Sequence, residues 1–353
     1  MSSRSEKNTW MLYGANGYTG KLIAEEACRR GIQPVLAGRN PKAVSEVAKS
    51  LGLSYRCFSL DDSAAAIAAL ADITAVLHCA GPFSATAKPM LNACIATGTH
   101  YLDITGEIEI FEWAKSLHQQ ARDARCVLMP GVGFDVVATD CLAAKLATRV
   151  KEPISLEMAF CGEGGASPGT AKTFIEMLPD GGFIRKDHKI TQVPSAYKRK
   201  AITFSDRSAW CMSIPWGDIS TAYSTTGIPN IVVYTAVPRV AAWLSRLTSP
   251  LMVLMKPAFI QQALKRLVEK KVQGPDEATR QSGCMRLWGR VENAKGEQAE
   301  QCLDLADGYQ FTLLASLAVM DALLKNPPAP GYQTPAGAFG ADFIETIPGS
   351  RWR

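Results

Sequence analysis

A glycine-rich turn between a strand and a helix constrains the fold of this chain more than any other feature. Residues 10–13 form an apolar run that predicts a buried strand, and residues 21–30 have the apolar spacing of a helix. Between them, glycines recur at every third position, as GxxGxxG rather than GxGxxG. Such a turn lets a pyrophosphate approach the backbone at the positive end of a helix dipole. The motif predicts these cofactor-binding residues: Gly14, Asn16, Gly17, Tyr18, Thr19 and Gly20.

The end of the second predicted strand indicates which dinucleotide binds. Residues 34–37 are apolar and lead into Gly38, Arg39 and Asn40. An NAD site has an acidic residue here, which accepts a hydrogen bond from the ribose 2′-hydroxyl. Arg39 stands there instead, with Lys42 close behind, and a guanidinium can hold a 2′-phosphate by forked, charge-assisted hydrogen bonds. The sequence therefore predicts NADP(H) rather than NAD(H), with Arg39 and Asn40 among the binding residues.

Charge and composition exclude several other classes of protein. The net charge of +5 is modest, and basic residues cluster at 185–200 and at 265–271. Neither cluster alternates with aromatic residues, so we expect no nucleic-acid binding, and we interpret the two as a solvated loop and a solvated helix face. The ten cysteines form no CxxC pair and no Cys/His group at metal spacing, so no metal site is predicted. The polar N-terminus without an export signal, together with dispersed thiols, favours a cytoplasmic location.

Residues 241–260 form the most apolar long segment. Two basic residues and two prolines interrupt it, so it does not have the length of about 20 mostly apolar residues that a spanning helix needs. We expect a pair of short helices, either buried or at an interface. Core or dimer packing is the simpler interpretation, and a homodimer is expected. Peripheral contact with a membrane or with a lipid-like substrate is the alternative.

The alternation of strands and helices predicts the fold class. Residues 8–140 have the pattern of a Rossmann-type, doubly wound parallel sheet, an α/β fold. From about residue 151 the pattern becomes that of a smaller α+β domain with an open mixed sheet. We predict an NADP-binding domain over 1–145, a substrate and dimerisation domain over 146–307, and a C-terminal helix and tail over 308–353 that pack back on the first domain.

In the first part the predicted strands after the second are 54–60, 74–79, 100–104 and 126–129, and the helices are 64–71, 88–97, 110–124 and 136–146. In the second part the predicted strands are 154–160, 202–204, 227–237, 286–292 and 297–305, and the helices are one that 167–170 opens and one over 308–324.

Functional residues of such a sheet lie just beyond the carboxyl ends of its strands. By this rule the cofactor-binding candidates also include Asp61, Cys79, Ala80, Gly81, Pro82 and Phe83. Segments 105–107 and 131–135 follow two further strands. Several polar residues nearby have a simpler structural interpretation: Asp103 bridging loops, Asp135 capping a helix, Asp218 in a turn, and His78 and His100 satisfied in the core.

The ordered set of motifs resembles the saccharopine dehydrogenase-like oxidoreductases, in the branch that includes trans-acting enoyl reductases. The resemblance covers nearly the whole chain. It rests on Gly14-Ala-Asn-Gly-Tyr-Thr-Gly20, Ala37-Gly-Arg39, Ala80-Gly-Pro-Phe83, Tyr101-Leu-Asp-Ile-Thr-Gly-Glu107, Gly133-Phe-Asp135 with Asp140, Ser167-Pro-Gly-Thr170, Trp216-Gly-Asp218, Thr226-Gly-Ile-Pro-Asn230, Trp288-Gly289 and Thr334-Pro-Ala with Phe339-Gly340. It implies an NADP-binding Rossmann domain, a second domain with a sheet, and reduction of a small or lipid-linked substrate.

The leading functional hypothesis is hydride transfer from NADPH to an activated C=C bond of an enoyl-type substrate. The resulting enolate needs a hydrogen-bond donor and a proton, and the catalytic candidates are Tyr101, Glu107 and Asp135. Two alternatives stay open: an NADP-dependent imine or carbonyl reductase of the opine type, and a non-catalytic NADP(H) sensor. A pocket lined by Phe174, Trp216, Tyr223 and 241–260 would favour an apolar enoyl substrate. One lined by Arg185, Lys186 and Lys198 would favour an acidic substrate.

Overall fold

The computed structural model describes residues 9–162, 167–249, 254–272 and 274–353. The chain divides into two compact units. Unit 1 comprises the chain up to Thr105, Glu109–Gly133 and Leu313–Gln333, and unit 2 comprises Gly106–Ile108, Phe134–Thr312 and Thr334–Arg353. The three-part domain division that the sequence predicts, over 1–145, 146–307 and 308–353, stays a proposal about functional domains.

Unit 1 is built on a parallel sheet. Its strands are β1 (Trp10–Tyr13), β2 (Val35–Gly38), β3 (Tyr55–Cys57), β4 (Ala75–His78), β5 (His100–Asp103), β6 (Val127–Met129) and β15 (Gly331–Tyr332). Among the described residues their order is β15-β6-β5-β4-β1-β2-β3, and every pairing is parallel. The order reverses beside β1, which places a topological switch point at the glycine turn. The Rossmann-type fold class is confirmed.

The helices of unit 1 alternate with these strands. They are α1 (Tyr18–Arg29), α2 (Pro41–Leu51), α3 (Ser63–Leu70), α4 (Phe83–Thr97), α5 (Ile108–Ser116) and α6 (His118–Asp123). Local signals fix several of their ends: Asn40 and Asp62 cap α2 and α3 by accepting from Ala43 N and Ala65 N. The predicted helix over 110–124 is wrong as one element, because α5 and α6 are separated at Leu117. Strand β15 lies within 327–335, a segment rich in proline and glycine.

Unit 2 is built on a mixed sheet. Its strands are β7 (Pro153–Gly162), β8 (Gly182–Lys186), β9 (Lys189–Val193), β10 (Arg199–Thr203), β11 (Ser208–Ile214), β12 (Asn230–Ala236), β13 (Cys284–Asn293), β14 (Gln298–Ala306) and β16 (Arg351–Trp352). The order is β10-β11-β12-β7-β13-β14-β16, and β8 joins β12 to β9. The pair β12 and β7 is parallel, and the predicted hairpin of β13 and β14 is confirmed. The expectation of an open mixed sheet is therefore confirmed.

The helices of unit 2 are α7 (Val137–Ala147), α8 (Pro168–Met177), α9 (Asp218–Thr226), α10 (Arg239–Thr248), α11 (Ala258–Lys271), α12 (Glu277–Ser282) and α14 (Pro335–Phe339). Helix α13 (Gly308–Lys325) runs through the boundary of the two units in the sequence. Helix α7 packs on β13 at Gly289, where a Cβ would lie 2.6 Å from Leu146 Cδ1. Bulky side chains at position 289 would push this helix off the sheet.

The interpretation of 185–200 as a solvated loop is wrong. The segment contains most of the β8–β9 hairpin and the start of β10. Arg185 is buried there: it donates hydrogen bonds to the carbonyls of Ile219 and His188, and its guanidinium lies 4.0 Å from the centre of the Tyr223 ring. The sequence alone does not distinguish a basic residue that is buried by such contacts from one on the surface. The turn assigned to Asp218 is also wrong, because Asp218 begins α9 and is fully buried.

Candidate functional site

The glycine turn of unit 1 has the geometry of a phosphate cradle. Gly14 has a φ of +85°, and a Cβ there would lie 2.7 Å from Ala80 N. At Gly20 a Cβ would lie 2.3 Å from Gly14 O, so this glycine lets α1 start directly against the turn. Gly17 precedes the first residue of α1, and neither a side-chain cap nor an acidic residue occupies this helix end. A helix end of this kind attracts the pyrophosphate of a dinucleotide.

The structure gathers the other predicted cofactor residues of unit 1 around this turn. Gly38 lies so close to Asn16 that a Cβ would be 3.1 Å from Asn16 Oδ1. The loop from Cys79 to Phe83 begins where Cys79 N donates to Tyr13 O, 2.8 Å away, and Gly14 touches Ala80. Tyr18 and Thr19 are half-buried in the first turn of α1. Three strand ends therefore meet at one edge of the sheet, as the switch-point rule predicts.

Arg39 is the exposed cation of this edge. It follows β2, and among the described residues its guanidinium has no ion-pair partner. Lys42, also exposed, lies in the first turn of α2. The neighbouring Asn40 caps α2, and Asp61 accepts a hydrogen bond from Ser59 Oγ at 3.0 Å. An unpaired guanidinium beside a phosphate cradle fits the 2′-phosphate of NADP(H), so the residues present fit this cofactor.

His100 and Asp103 have the structural roles that the sequence suggests, whereas His78 is only half satisfied, because its buried Nδ1 atom has no hydrogen-bond partner among the described residues. Burial lowers the pKa of His78 to about 3, and its Nε2 lies 3.0 Å from Thr86 Oγ1. The Nδ1 atom of His100 accepts from Val127 N. The Asp103 carboxyl accepts from the amides of Thr105 (2.9 Å) and Gly131 (2.8 Å), which ties together the loops that follow β5 and β6.

Tyr101, a predicted catalytic residue, lies in the core of unit 1. It is fully buried, and its hydroxyl donates to Asp103 Oδ2 at 2.6 Å. Burial raises the pKa of Asp103 to about 6, although the hydrogen bonds from Tyr101, Thr105 and Gly131 oppose the shift. Tyr101 thus orients the carboxyl that joins the two loops. This geometry suits a positioning residue better than a group that contacts substrate.

The other two predicted catalytic residues, Glu107 and Asp135, belong to unit 2. Gly106 directly precedes Glu107 in the chain and is in contact with Asp135. A Cβ on Gly106 would lie 3.0 Å from Asp135 Oδ2, so the Asp135 carboxyl packs on the backbone next to Glu107. Thr173 Oγ1 donates to Glu107 Oε1 at 3.4 Å. The capping interpretation of Asp135 is wrong: α7 begins at Val137, its cap position is Val136, and no side chain caps it.

Asp135 has the properties of an acid that is poised near neutral pH. Its side chain is partly exposed, and among the described residues none donates a hydrogen bond to its carboxyl. It lies deep among other atoms, and this desolvation raises its pKa from the ordinary 3.8 to about 7. Perturbed carboxyls of this kind are typical of functional sites.

Two further buried carboxyls lie in the same region of unit 2. Thr139 Oγ1 donates to Asp218 Oδ1, and Asp218 Oδ2 is buried without a partner among the described residues. Burial, with the nearby Asp140 and Asp135, raises the pKa of Asp218 well above its ordinary value. Asp140 instead accepts from Thr225 Oγ1 and Ala336 N, at 2.5 and 2.8 Å, and so holds the start of α14. Sequence reasoning missed the burial of Asp218, because α9 packs on α7 and other elements that lie far away in the sequence.

Unit 2 also contains an apolar pocket of about 670 Å³, including the space at its mouth. Its wall is formed by β11 and the residues after it, the end of α8, and α10. Those of its lining residues that the structure describes are uncharged, and they include Phe174, Met177, Met212, Ile214, Trp216 and Ser245. A series of ring contacts leads from the pocket to Asp135. The Trp216 ring contacts Phe160 (5.1 Å between centroids), and Phe160 contacts Phe134 (5.8 Å), the residue before Asp135.

The pocket meets the sequence criterion for an apolar substrate in large part. Phe174, Trp216 and a residue of 241–260 line it, whereas Tyr223 stacks with Arg185 instead. Arg185, Lys186 and Lys198 are not among its lining residues. Arg185 is held by backbone carbonyls, and the two lysines are exposed.

Comparison with known proteins identifies the first part of the chain. Residues 10–129 match the family model of the saccharopine dehydrogenase NADP-binding domain. The chain is 33% identical over 184 residues to a Mycobacterium tuberculosis protein whose name provisionally makes it a trans-acting enoyl reductase; the match covers 48% of this chain and 43% of that one. It is 27% identical over 150 residues to the human saccharopine dehydrogenase-like oxidoreductase, covering 37% and 35% of the two chains. The matched part of the chain thus spans less than half the length of each of these relatives.

A solved structure supports the fold along the chain. The apo form of saccharopine dehydrogenase (L-Glu forming) from Saccharomyces cerevisiae aligns with a TM-score of 0.67 over 98% of this chain and 99% of that one, at 14% identity. At this identity the likeness concerns the fold alone. No helix in the described part of the chain is long and apolar enough to cross a membrane.

Proposed function

We propose that the chain is an NADPH-dependent reductase, from the premise that residues 10–129, which match the saccharopine dehydrogenase NADP-binding domain, bind NADP(H). Its acceptor is the activated C=C bond of an enoyl thioester with a long apolar chain. The observation that carries the acceptor class is the uncharged, aromatic-lined pocket of unit 2. The names of the relatives agree with this proposal.

The proposed roles follow from the needs of the reaction. When bound, NADPH supplies the hydride that forms a C–H bond at the β-carbon, while the electron pair of the C=C bond moves onto the carbonyl oxygen as an enolate. Asp135 holds the proton that the α-carbon then takes, because its pKa of about 7 keeps much of the carboxyl protonated near neutral pH. Asp135 afterwards regains a proton from solvent, to which its side chain is partly exposed.

The remaining candidates act around Asp135 in this proposal. Glu107, beside the glycine on which Asp135 packs, is the second candidate acid. Tyr101 acts through Asp103, which ties the loops that lead to segments 106–107 and 134–135. On the cofactor side, eleven of the predicted residues form the glycine turn and the loop after β4, Arg39 supplies the cation, and Asn40 and Asp61 contribute by shaping the loops after β2 and β3.

A comparison of acceptors tests the proposal. NADPH oxidation is followed with enoyl thioesters of short and long acyl chain, with an α-keto acid plus amino acid pair, and with a simple ketone. We expect oxidation with enoyl thioesters, faster for the longer chain because more apolar surface enters the pocket. Oxidation with the keto acid and amino acid pair alone would indicate an opine-type reductase. NADPH binding without oxidation by any acceptor would favour a sensor.

Assembly and location complete the proposal. We infer a homodimer, to be tested by sedimentation velocity, and a cytoplasmic protein with peripheral membrane contact through 241–260. All ten cysteines are free thiols in the structure, which agrees with a reducing compartment.

A further inference from the structure

The outer face of α10 is apolar where a water-facing helix would be polar. Val240, Trp243, Leu244 and Leu247 are spaced as one helical stripe, and their exposed fractions are 70%, 57%, 53% and 77%. The opposite face is the one that packs: Ala242 is fully buried, and Ser249, which follows the helix, accepts from Ser195 N. The amphipathic pattern therefore turns its apolar side outward, which indicates a surface that something else covers.

Helix α11 continues the pattern with exposed apolar residues next to cations. Phe259 and Leu267 are 72% and 50% exposed. Arg266 and Lys271 are exposed on the same helix. Helix α11 packs against α8, and Gln261 Nε2 donates to Ile175 O of α8. Helix α11 therefore borders α8, and α10 lines the same pocket as α8 through Ser245.

The charge of this part of the chain is strongly positive. Residues 239–271 contain seven Lys or Arg and one Glu, a net charge of +6, whereas the whole chain carries +5. The rest of the chain is therefore slightly acidic. Exposed Trp, Phe and Leu together with excess Lys and Arg are the composition of segments that lie in the interface of an anionic bilayer.

Helix α10 carries the exposed apolar stripe and also contributes a residue to the pocket. Ser245 of α10 lines the pocket, and Phe174, a second lining residue, is 45% exposed. A surface seated on a membrane here would bring the pocket's border to the lipid.

We propose that α10 and α11 bind the surface of an anionic lipid membrane. We term their exposed apolar residues, together with the cations beside them, the basic apolar face: Val240, Trp243, Leu244, Leu247, Phe259 and Leu267. The pocket beside this face then receives its apolar substrate from the bilayer, and this second half of the inference rests on the proposed function. A second copy of the chain is the less suitable occupant, because it would bring together two segments that stay net positive even with Lys256 and Lys265 paired to Asp180 and Glu176.

Vesicle co-sedimentation of the full chain tests the inference. Vesicles of phosphatidylcholine alone are compared with vesicles that also contain phosphatidylglycerol. We expect sedimentation with the anionic vesicles that weakens as salt is added. The double variant Leu244→Ser, Leu247→Ser should bind about tenfold or more weakly, since both leucines lose apolar contact with lipid. The variant Arg266→Glu, Lys271→Glu should lose the preference for anionic vesicles.

Matched controls separate this result from general stickiness or misfolding. Ile67→Ser in α3 removes an apolar side chain that is 39% exposed in unit 1, and vesicle binding should not change. Absence of binding by the parent chain at low salt, or equal binding by parent and double variant, would overturn the inference. A parent dimer that the double variant dissociates would assign the face to a second copy instead. NADPH titration and the acceptor comparison use no vesicles, so the proposed function is judged separately.

Discussion

At the scale of single residues, the choice of NADP(H) depends on Arg39 and the proposed proton donor is Asp135. Arg39 is an exposed cation at the end of β2, where the sequence alone indicates the 2′-phosphate. Asp135 could be singled out from its place after β6, but its raised pKa could not be predicted. That shift depends on desolvation by residues far apart in the chain, and no local pattern encodes it.

Replacing Arg39 should separate the two dinucleotides. Charge-assisted hydrogen bonds of this kind contribute about 1.5–3 kcal/mol, so Arg39→Ala should weaken NADPH binding by about 10- to 100-fold. NADH, which has no 2′-phosphate, should bind as before. The measurement is a fluorescence titration with both dinucleotides, and Lys49→Ala at the far end of α2 is the control. Equal losses for NADPH and NADH would contradict the role of Arg39.

Asp135→Asn should remove the acid that protonates the α-carbon. General acid catalysis contributes about 100-fold or more, so turnover with an enoyl thioester should fall by about that factor. In the parent enzyme turnover should decline above pH 7 as Asp135 ionises, and the variant should lack this decline. Asp321→Asn, on the surface of α13, is the control. A variant with the parent's rate and pH profile would exclude Asp135 as the proton donor.

The same substitution has a consequence for stability. The pKa of Asp135 is about 7 in the folded chain and near 3.8 in the unfolded one, so the folded state binds this proton more tightly. The stability it contributes is complete below pH 4 and is lost as pH rises towards 7. The free energy of unfolding of Asp135→Asn, relative to the parent, should therefore rise between pH 4 and 7 and then level off. Urea titrations across this range check the trend, and a flat difference would mean that the carboxyl is not desolvated.

At the scale of elements, the hydrophobic pattern of the sequence predicts the regular strands and helices. It fails where a charged residue is buried. The glycine turn, β1, β2 and the β13–β14 hairpin could be read because their periodicity and turn residues agree. The β8–β9 hairpin could not, because its basic residues resemble a loop while Arg185 is buried by two backbone carbonyls and a tyrosine ring. The buried interpretation of 241–260 is wrong for α10, whose apolar stripe is exposed; residues 250–253 lie outside the described part of the chain.

Gly17→Val tests whether the turn before α1 holds a pyrophosphate. Gly17 has φ −76° and ψ 166°, which valine adopts readily, although its Cβ would be 3.2 Å from Gly14 O. The protein should stay folded, while binding of both NADPH and NADH is lost because the side chain fills the phosphate approach. Gly31→Ala is the matched control: φ is +73° there with open space around it, so stability should fall without loss of binding. Retained binding in Gly17→Val would make the turn purely structural.

At the scale of the whole molecule, the chain contains an NADP(H)-binding unit and a unit with an apolar pocket and a poised carboxyl. The fold class followed from the alternation of strands and helices, because crossover connections in a parallel sheet impose that order. The return of β15 to the edge of the first sheet did not follow, since a strand of two residues has no periodicity. The pocket likewise arises from segments far apart in the chain.

Isotope transfer shows whether the hydride of NADPH reaches the C=C bond. The enzyme is given NADPH with deuterium at the transferring position of nicotinamide C4 and a long-chain enoyl thioester, and the product is analysed by mass spectrometry and NMR. We expect one deuterium at the β-carbon of the saturated thioester and a solvent-derived proton at the α-carbon. A product without deuterium, or NADPH consumed with the C=C bond intact, would contradict it.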